Sequence, residues 1–243
     1  MASTGAGDVI VSGGGSTRNI VLAGLGADRV NQAVRAGSAD PSPAVSSGDD
    51  IVIGDNGLVM WDVEGRLTRF ASSQILLGDN DLIAVGDGAN IVIGGFGADQ
   101  INSGNGSDIV LGDNGEVTYT AGTTNLLLAR TTDTLSTSGD ADTISVGAGN
   151  NLILAGLGAD QITAGSGNDL VIGDNGQIDW TAAGGYSRFQ TSEESLGGDD
   201  TIDAGDGENV VLGGFGADLI VSGIGADLIL GDNGLVDYTG YDN

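Results

Sequence analysis

Apolar residues recur along this chain in short clusters with a period of nine. The segment GGFGADLIV (213–221) shows the rule: six glycine-rich turn residues, then three residues with an apolar centre, Ile220. Ile101, Val110, Ile162, Val171 and Ile229 hold the same place. An acid or amide stands just before each cluster: Asp81, Asn90, Asp99 and Asp108; Asp142, Asn151, Asp160 and Asp169; Asp200, Asn209, Asp218 and Asp227. Nearer the start the register is stretched by insertions, to Asp8, Asn19, Asp28 and Asp50. No helical or heptad period appears. Alternation over three residues predicts a short strand whose middle side chain points inward. Two nonapeptides then make one coil of 18 residues: turn, strand, turn, strand. Stacked coils pair their strands in parallel and bury a thin Val/Ile/Leu core.

A longer repeat overlies the short one. Gly-Asp-Asn-Gly occurs at 54–57, 112–115, 173–176 and 231–234. It divides one repeat domain into four units of about 60 residues, near 5–57, 58–115, 116–176 and 177–234, with 235–243 as the truncated start of a further insert. Between each tetrapeptide and the next nonapeptide lies an irregular stretch: 58–73, 116–134 and 177–195. Each reads strand, turn, strand, with turns near Glu64-Gly65, Ala121-Gly122 and Gly184-Gly185, and so predicts a hairpin. Eight of the ten aromatics fall in these inserts, where rings too large for the coil can be placed: Trp61, Phe70, Tyr119, Trp180, Tyr186, Phe189, Tyr238 and Tyr241. Two placements stay open. The returning hairpin strand forms a third coil, or two coils carry a protruding hairpin. The segment 33–47, with both prolines, reads as a surface loop.

Composition narrows the chemistry. The chain of 243 residues has 46 glycines, no cysteine and no histidine, and 34 acids against 7 cations give a formal charge of −27. Thiolate and imidazole chemistry are excluded. The charge argues against nucleic acid or an anionic membrane as partner, and favours a cation. No apolar run is long enough to span a bilayer as a helix, and the Met1 end has no secretory-signal pattern. All but five of the acids are Asp, a short oxygen ligand suited to tight turns and hard metal ions.

The segments AGLGADRVN (23–31), GGFGADQIN (94–102), SGNGSDIVL (103–111), AGLGADQIT (155–163), AGSGNDLVI (164–172), GGFGADLIV (213–221) and SGIGADLIL (222–230) fit the pattern GGxGxDxUx, where U is a large apolar residue. This resembles the RTX, or hemolysin-type, calcium-binding repeat. The resemblance implies an all-β parallel β-roll with several Ca2+ ions held between turns by Asp carboxylates and backbone carbonyls. The physical reading agrees, since calcium wants 6–8 oxygens. Candidate ligands pair one coil apart. One edge holds Asp8 with Asp28, Asp81 with Asp99, Asp142 with Asp160, and Asp200 with Asp218. The other holds Asn19 with Asp50, Asn90 with Asp108, Asn151 with Asp169, and Asn209 with Asp227.

The asparagines depart from the pattern. That edge binds calcium more weakly, or is closed by amide hydrogen bonds. The tetrapeptide acids Asp55, Asp113, Asp174 and Asp232 either complete a site against the preceding coil or form turns that launch the hairpins. About eight ions, one per pair, would bring −27 to about −11.

Competing readings are weaker. Metal-free turns would stack unneutralised carboxylates about one strand spacing (~4.8 Å) apart. No helix follows any Gly-x-Gly, against a phosphate loop. The carboxylate pairs recur identically, against a glycosidase. Surface Thr residues are too sparse for an ice-matching ladder. No enzyme motif is found, so no catalysis is expected. The leading expectation is a calcium-rigidified structural module of a large secreted or cell-surface protein. By resemblance, such a protein is exported by type I secretion and folds after export, and its partners include neighbouring repeats end to end. Two alternatives remain. One is a carbohydrate- or surface-binding adhesin module using hairpin aromatics, with Trp61 and Trp180 as contacts. The other is the calcium-binding part of a secreted hydrolase whose catalytic domain lies outside these residues.

Overall fold

The computed structural model describes residues 5–10, 18–31 and 47–239. Most of the predicted loop at 33–47, and Tyr241, lie outside them. The described residues contain strands and no helix.

The strands follow the nonapeptide register. Two coils come first, with β1 (Val9–Ile10) and β2 (Ile20–Leu22), then β3 (Arg29–Val30) and β4 (Ile51–Ile53). The chain leaves as a hairpin, β5 (Gly57–Trp61) and β6 (Leu67–Ser72). Two coils follow, β7 (Leu82–Ala84) with β8 (Ile91–Gly95) and β9 (Gln100–Asn102) with β10 (Ile109–Asp113), then the hairpin β11 (Gly115–Tyr119) and β12 (Leu126–Thr131). The third round gives β13 (Thr143–Ser145), β14 (Leu152–Leu154), β15 (Gln161–Thr163), β16 (Leu170–Ile172) and the hairpin β17 (Gly176–Trp180) and β18 (Tyr186–Thr191). The last gives β19 (Thr201–Asp203), β20 (Val210–Leu212), β21 (Leu219–Val221), β22 (Leu228–Leu230) and β23 (Leu235–Asp237).

Three sheets result. The first strand of every coil joins an eight-stranded parallel sheet, β1-β3-β7-β9-β13-β15-β19-β21. The second strand of every coil joins another, β2-β4-β8-β10-β14-β16-β20-β22. This is the all-β parallel β-roll. Its middle residues stack in register, Ile83 on Ile101, Ile144, Ile162 and Ile202 in the first sheet. Val52, Val92, Val110, Ile153, Val171 and Val211 stack in the second. These columns form the interior of the roll. Ile229, on the last coil, continues the column but stays 43 % exposed, with no described coil covering it.

Coils approach too closely for side chains at the turns. Gly106 has φ 144°, and a Cβ there would collide with the carbonyl of Gly88 one coil away, so only glycine fits.

The hairpins do not form a third coil. They pair with one another in a seven-stranded antiparallel sheet, β23-β18-β17-β12-β11-β6-β5, which packs on the outside of the second parallel sheet. The turns fall where expected, with Gly65, Gly122 and Gly184 at positive φ. The predicted core is therefore only half of what is buried. The strands of the second sheet are apolar at three successive positions, and inside the stack, as in Ile51–Ile53, Leu152–Leu154 and Leu170–Ile172, all three are buried, whereas the end strands Ile20–Leu22 and Leu228–Leu230 are partly exposed. Their outward residues meet Phe70, Val117, Ala129, Ile178, Trp180 and Phe189 of the hairpins in a second core. A strand buried on both faces needs a continuous apolar run. The first sheet has one solvated face and alternates, as in Gln161-Ile162-Thr163.

Candidate metal-binding edges

The acids and amides before each strand lie where the chain turns from one parallel sheet to the other. They form two unbroken ladders along the roll. On one edge every side chain is Asp. The backbone N–H of each Asp donates to Oδ1 of the Asp in the next coil: Asp8 to Asp28, Asp28 to Asp81, Asp81 to Asp99, Asp99 to Asp142, Asp142 to Asp160, Asp160 to Asp200 and Asp200 to Asp218, at 2.6–2.9 Å. The second edge repeats this bond with alternating Asn and Asp: Asn19, Asp50, Asn90, Asp108, Asn151, Asp169, Asn209 and Asp227, at 2.7–3.1 Å.

All eight sequence-predicted pairs are brought together. The ladders also continue across units, between Asp28 and Asp81, Asp99 and Asp142, and Asp160 and Asp200. A fixed 18-residue spacing misses these links, because a hairpin or loop intervenes.

Three of the four tetrapeptide acids join the aspartate edge. Asp55 accepts from the N–H of Phe96 at 2.6 Å, Asp113 from Leu157, and Asp174 from Phe215 and from Gly198 at 3.0 Å. Each therefore reaches forward to a following coil and does not cap its own turn. Asp8 and Asp232, near the ends of the stack, are exposed, and Asp218 and Asp227 are half-buried.

The electrostatics of the aspartate edge are unfavourable for a chain without counter-ions. Burial pushes Asp81 and Asp200 up to about 8, and Asp55 and Asp174 up to about 7, with neighbouring carboxylates adding to the rise. Burial and the next acids in the ladder likewise hold Asp99 and Asp160 well above the usual range, and burial raises Asp113 and Asp142 as well.

The donor set can be tested against calcium directly. Among the described residues no group of three or more acidic side chains is arranged to hold a metal ion, so carboxylates alone do not make a site. The ladder nevertheless leaves the second oxygen of each acid over. Oδ2 of Asp28, Asp81, Asp99, Asp142, Asp160, Asp200 and Asp218 is buried without a hydrogen-bond partner, as is Oδ1 of Asp55 and Asp113. Buried polar atoms are ordinarily paired. Carbonyl oxygens lie beside these orphans. A Cβ on Gly94 would meet both Asp99 Oδ2 and the carbonyl of Gly112, and one on Gly213 would meet both Asp218 Oδ2 and that of Gly231. One charged oxygen plus turn carbonyls per coil is the donor chemistry of a hard cation.

A match to known sequences agrees with this geometry. The RTX calcium-binding nonapeptide repeat (four copies) matches residues 77–116, 131–162, 145–177 and 195–234, together more than half of the chain. The chain belongs to that family. RTX repeats are structural calcium-binding repeats that form β-rolls, and the family is typical of proteins exported by type I secretion. No curated protein and no solved structure matches the chain.

Three further features of this RTX repeat were not singled out from sequence. Asp133 is buried, receives the amide of Asn114 at 3.1 Å, and is pushed by burial up to about 6. Ser103 donates its hydroxyl to Asp108 Oδ2 at 2.5 Å. Ser103 stands five residues before its Asp, a spacing visible in the sequence and shared by Ser222 and Asp227. Glu116 sits between Arg69 and Arg130 in the hairpin sheet. Of the two tryptophans considered as surface contacts, Trp61 is 51 % exposed, whereas Trp180 is buried in the second core beside Tyr186.

Proposed function

We propose that this repeat is a calcium-dependent structural module of a large secreted or cell-surface protein, with residues 1–243 acting as a single repeat domain. Calcium ions seat along the aspartate edge, held by Asp28, Asp81, Asp99, Asp142, Asp160, Asp200 and Asp218, with Asp55, Asp113 and Asp174 beside them and turn carbonyls completing the shell. One observation carries the reading: seven successive aspartates each use Oδ1 in the coil-to-coil ladder and leave a buried Oδ2 without a partner. When bound, calcium would supply the positive charge those oxygens lack.

The chain's own part is to hold the ligands. The ladder bond fixes each carboxylate, the glycines keep the space beside it open, and the apolar columns set the coil spacing. Without calcium the stacked carboxylates repel and stay desolvated, so the coils separate. With it, binding free energy becomes folding free energy. A chain exported through a low-calcium interior then folds where calcium is abundant.

Far-ultraviolet circular dichroism and calcium titration by calorimetry test this on the same sample. Strand signal should appear with calcium and collapse in EDTA. A chain that stays equally folded and equally heat-stable in EDTA would defeat the proposal.

A second reading has one observation in its favour. β5 is the outermost strand of the hairpin sheet and leaves Leu58, Met60 and Trp61 42–51 % exposed. Contact with a carbohydrate or cell surface through Trp61 would be lost in Trp61→Ala on a glycan array, with calcium binding unchanged.

A further inference from the structure

The two edges share a backbone ladder but treat their turn carbonyls differently. On the second edge, Oδ1 of Asn90 accepts the N–H of Asp50 at 3.0 Å. Its Nδ2 donates to the carbonyls of Gly86 at 2.9 Å and Gly88 at 3.1 Å, and to Asp108 Oδ1 at 3.0 Å. Asn151 does the same. Its Oδ1 accepts the N–H of Asp108, and its Nδ2 reaches the carbonyls of Gly147, Gly149 and Ala164 and Asp169 Oδ1, at 2.9–3.3 Å. Nδ2 of Asn209 faces the carbonyl of Gly205 at 3.2 Å. Turning either amide of Asn90 or Asn151 over would press an oxygen against three or four others, so the network fixes the orientation.

We propose that on this edge the asparagine amide stands in for the cation. Asn90, Asn151 and Asn209 close the turn carbonyls with N–H donors, and calcium is confined to the aspartate edge. This rests on the calcium reading above.

The chemistry is consistent along the edge. An amide nitrogen among carbonyls satisfies the oxygens a metal would collect. It adds no charge and needs no ion. Alternation with Asn also sets successive carboxylates two coils apart, about twice the ~4.8 Å strand spacing, so their repulsion is weaker. Ser103 satisfies the outer oxygen of Asp108. At Asp169 the matching position is Ala164, and Asp169 Oδ2 has no partner, as is true of Asp50 Oδ2. Those two oxygens are separated along the edge by Asn90, Asp108 and Asn151, whereas the orphans of the aspartate edge are stacked coil on coil.

Equilibrium dialysis with radioactive calcium, on the full chain, counts the ions. The variant Asn90→Asp/Asn151→Asp/Asn209→Asp should gain about one ion per substitution and should need calcium more strongly to fold. Asn90→Asp alone serves if the triple variant is poorly folded. Asn90→Ala should keep the wild-type count and melt at a lower temperature in calcium. An Asp variant binding no more calcium than wild type, or Asn90→Ala losing an ion, overturns the inference. If the wild-type chain binds no calcium, the proposed function fails. The confinement of calcium to the aspartate edge then falls with it, and the amide's stand-in role survives only if the triple variant acquires calcium that the wild type lacks.

Discussion

Phe189→Ala tests whether the hairpin sheet is structural or merely draped on the roll. Phe189 sits on β18, is 2 % exposed, and faces Ile178 and Val236 on its two neighbouring strands. Its ring meets Tyr186 at 5.0 Å and Tyr238 at 5.4 Å, both edge-on. Returning that much apolar surface to water costs about 2–3 kcal/mol. The cavity left between two sheets and the two lost ring contacts raise the total to about 3–5 kcal/mol. Phe215→Ala is the control: Phe215 is 46 % exposed in a nonapeptide turn, and its loss should cost within about 0.5 kcal/mol. Urea unfolding in saturating calcium measures both. Trp180, which is 7 % exposed in the same core, is the fluorescent reporter, in a Trp61→Phe background that removes the exposed indole. A cost for Phe189→Ala below about 1 kcal/mol, or one equal to the control, would refute the second core as a source of stability.

Other expectations follow from the hairpins and the turns. Burial pushes the Glu116 carboxyl up, but the guanidiniums of Arg69 and Arg130 more than offset this and hold it below the usual glutamate range. A depressed acid contributes stability above its unfolded pKa and loses it as pH falls through the folded one. Glu116→Gln should therefore cost about 1 kcal/mol at pH 7, a low value because both guanidiniums are over 40 % exposed. The difference from wild type in urea midpoint should hold above about pH 4.3 and shrink as pH falls below it, vanishing only below the depressed folded pKa; a pH-independent difference would assign the effect to packing. Gly106→Ala should be far more damaging than Gly65→Ala. Both have positive φ, which costs about 1–2 kcal/mol with a side chain, but a Cβ on Gly65 meets nothing within 4 Å, whereas one on Gly106 strikes the carbonyl of Gly88. Equal losses of melting temperature in the two variants would contradict the coil spacing.

The roll was legible because glycine, acid and apolar centre recur at nine, and each carries a physical requirement: positive φ, a turn-to-turn ladder, a buried column. The hairpin turns were legible from Glu64-Gly65 and its counterparts. The outer layer was not, although one sign of it lay in the sequence. Gln161-Ile162-Thr163 alternates and Leu170-Val171-Ile172 does not, which separates a sheet with one wet face from a sheet with none. What nine-residue reading cannot supply is pairing between hairpins 40 or more residues apart. That depends on β6 meeting β11, β12 meeting β17 and β18 meeting β23, contacts set by the coil spacing beneath them and not by any local pattern.

Those contacts explain how long inserts leave the ladders unbroken. Each hairpin leaves and rejoins the roll at one point. The N–H of Ser73, Thr132 and Ser192 donates to the carbonyl of Asn56, Asn114 and Asn175, the third residue of the preceding Gly-Asp-Asn-Gly, at 2.8 Å each. The excursion thus adds no length along the stack, and Asp99 meets Asp142 as directly as Asp81 meets Asp99. Neighbouring units are consequently joined along three seams: the aspartate edge, the asparagine edge and the hairpin sheet. Only the first lines up carboxylates without intervening amides or cations. On the reading proposed above, calcium governs that seam alone, while amides hold the second and strand pairing with buried rings holds the third. Removing calcium should then open the roll from the aspartate edge, with the first parallel sheet losing its order ahead of the double-faced second sheet. Hydrogen exchange as calcium is lowered stepwise, before the strand signal is lost, separates the two cases: faster exchange at Ile144 and Ile162 than at Ile153 and Val171 fits one metal-bearing edge, and equal exchange fits two.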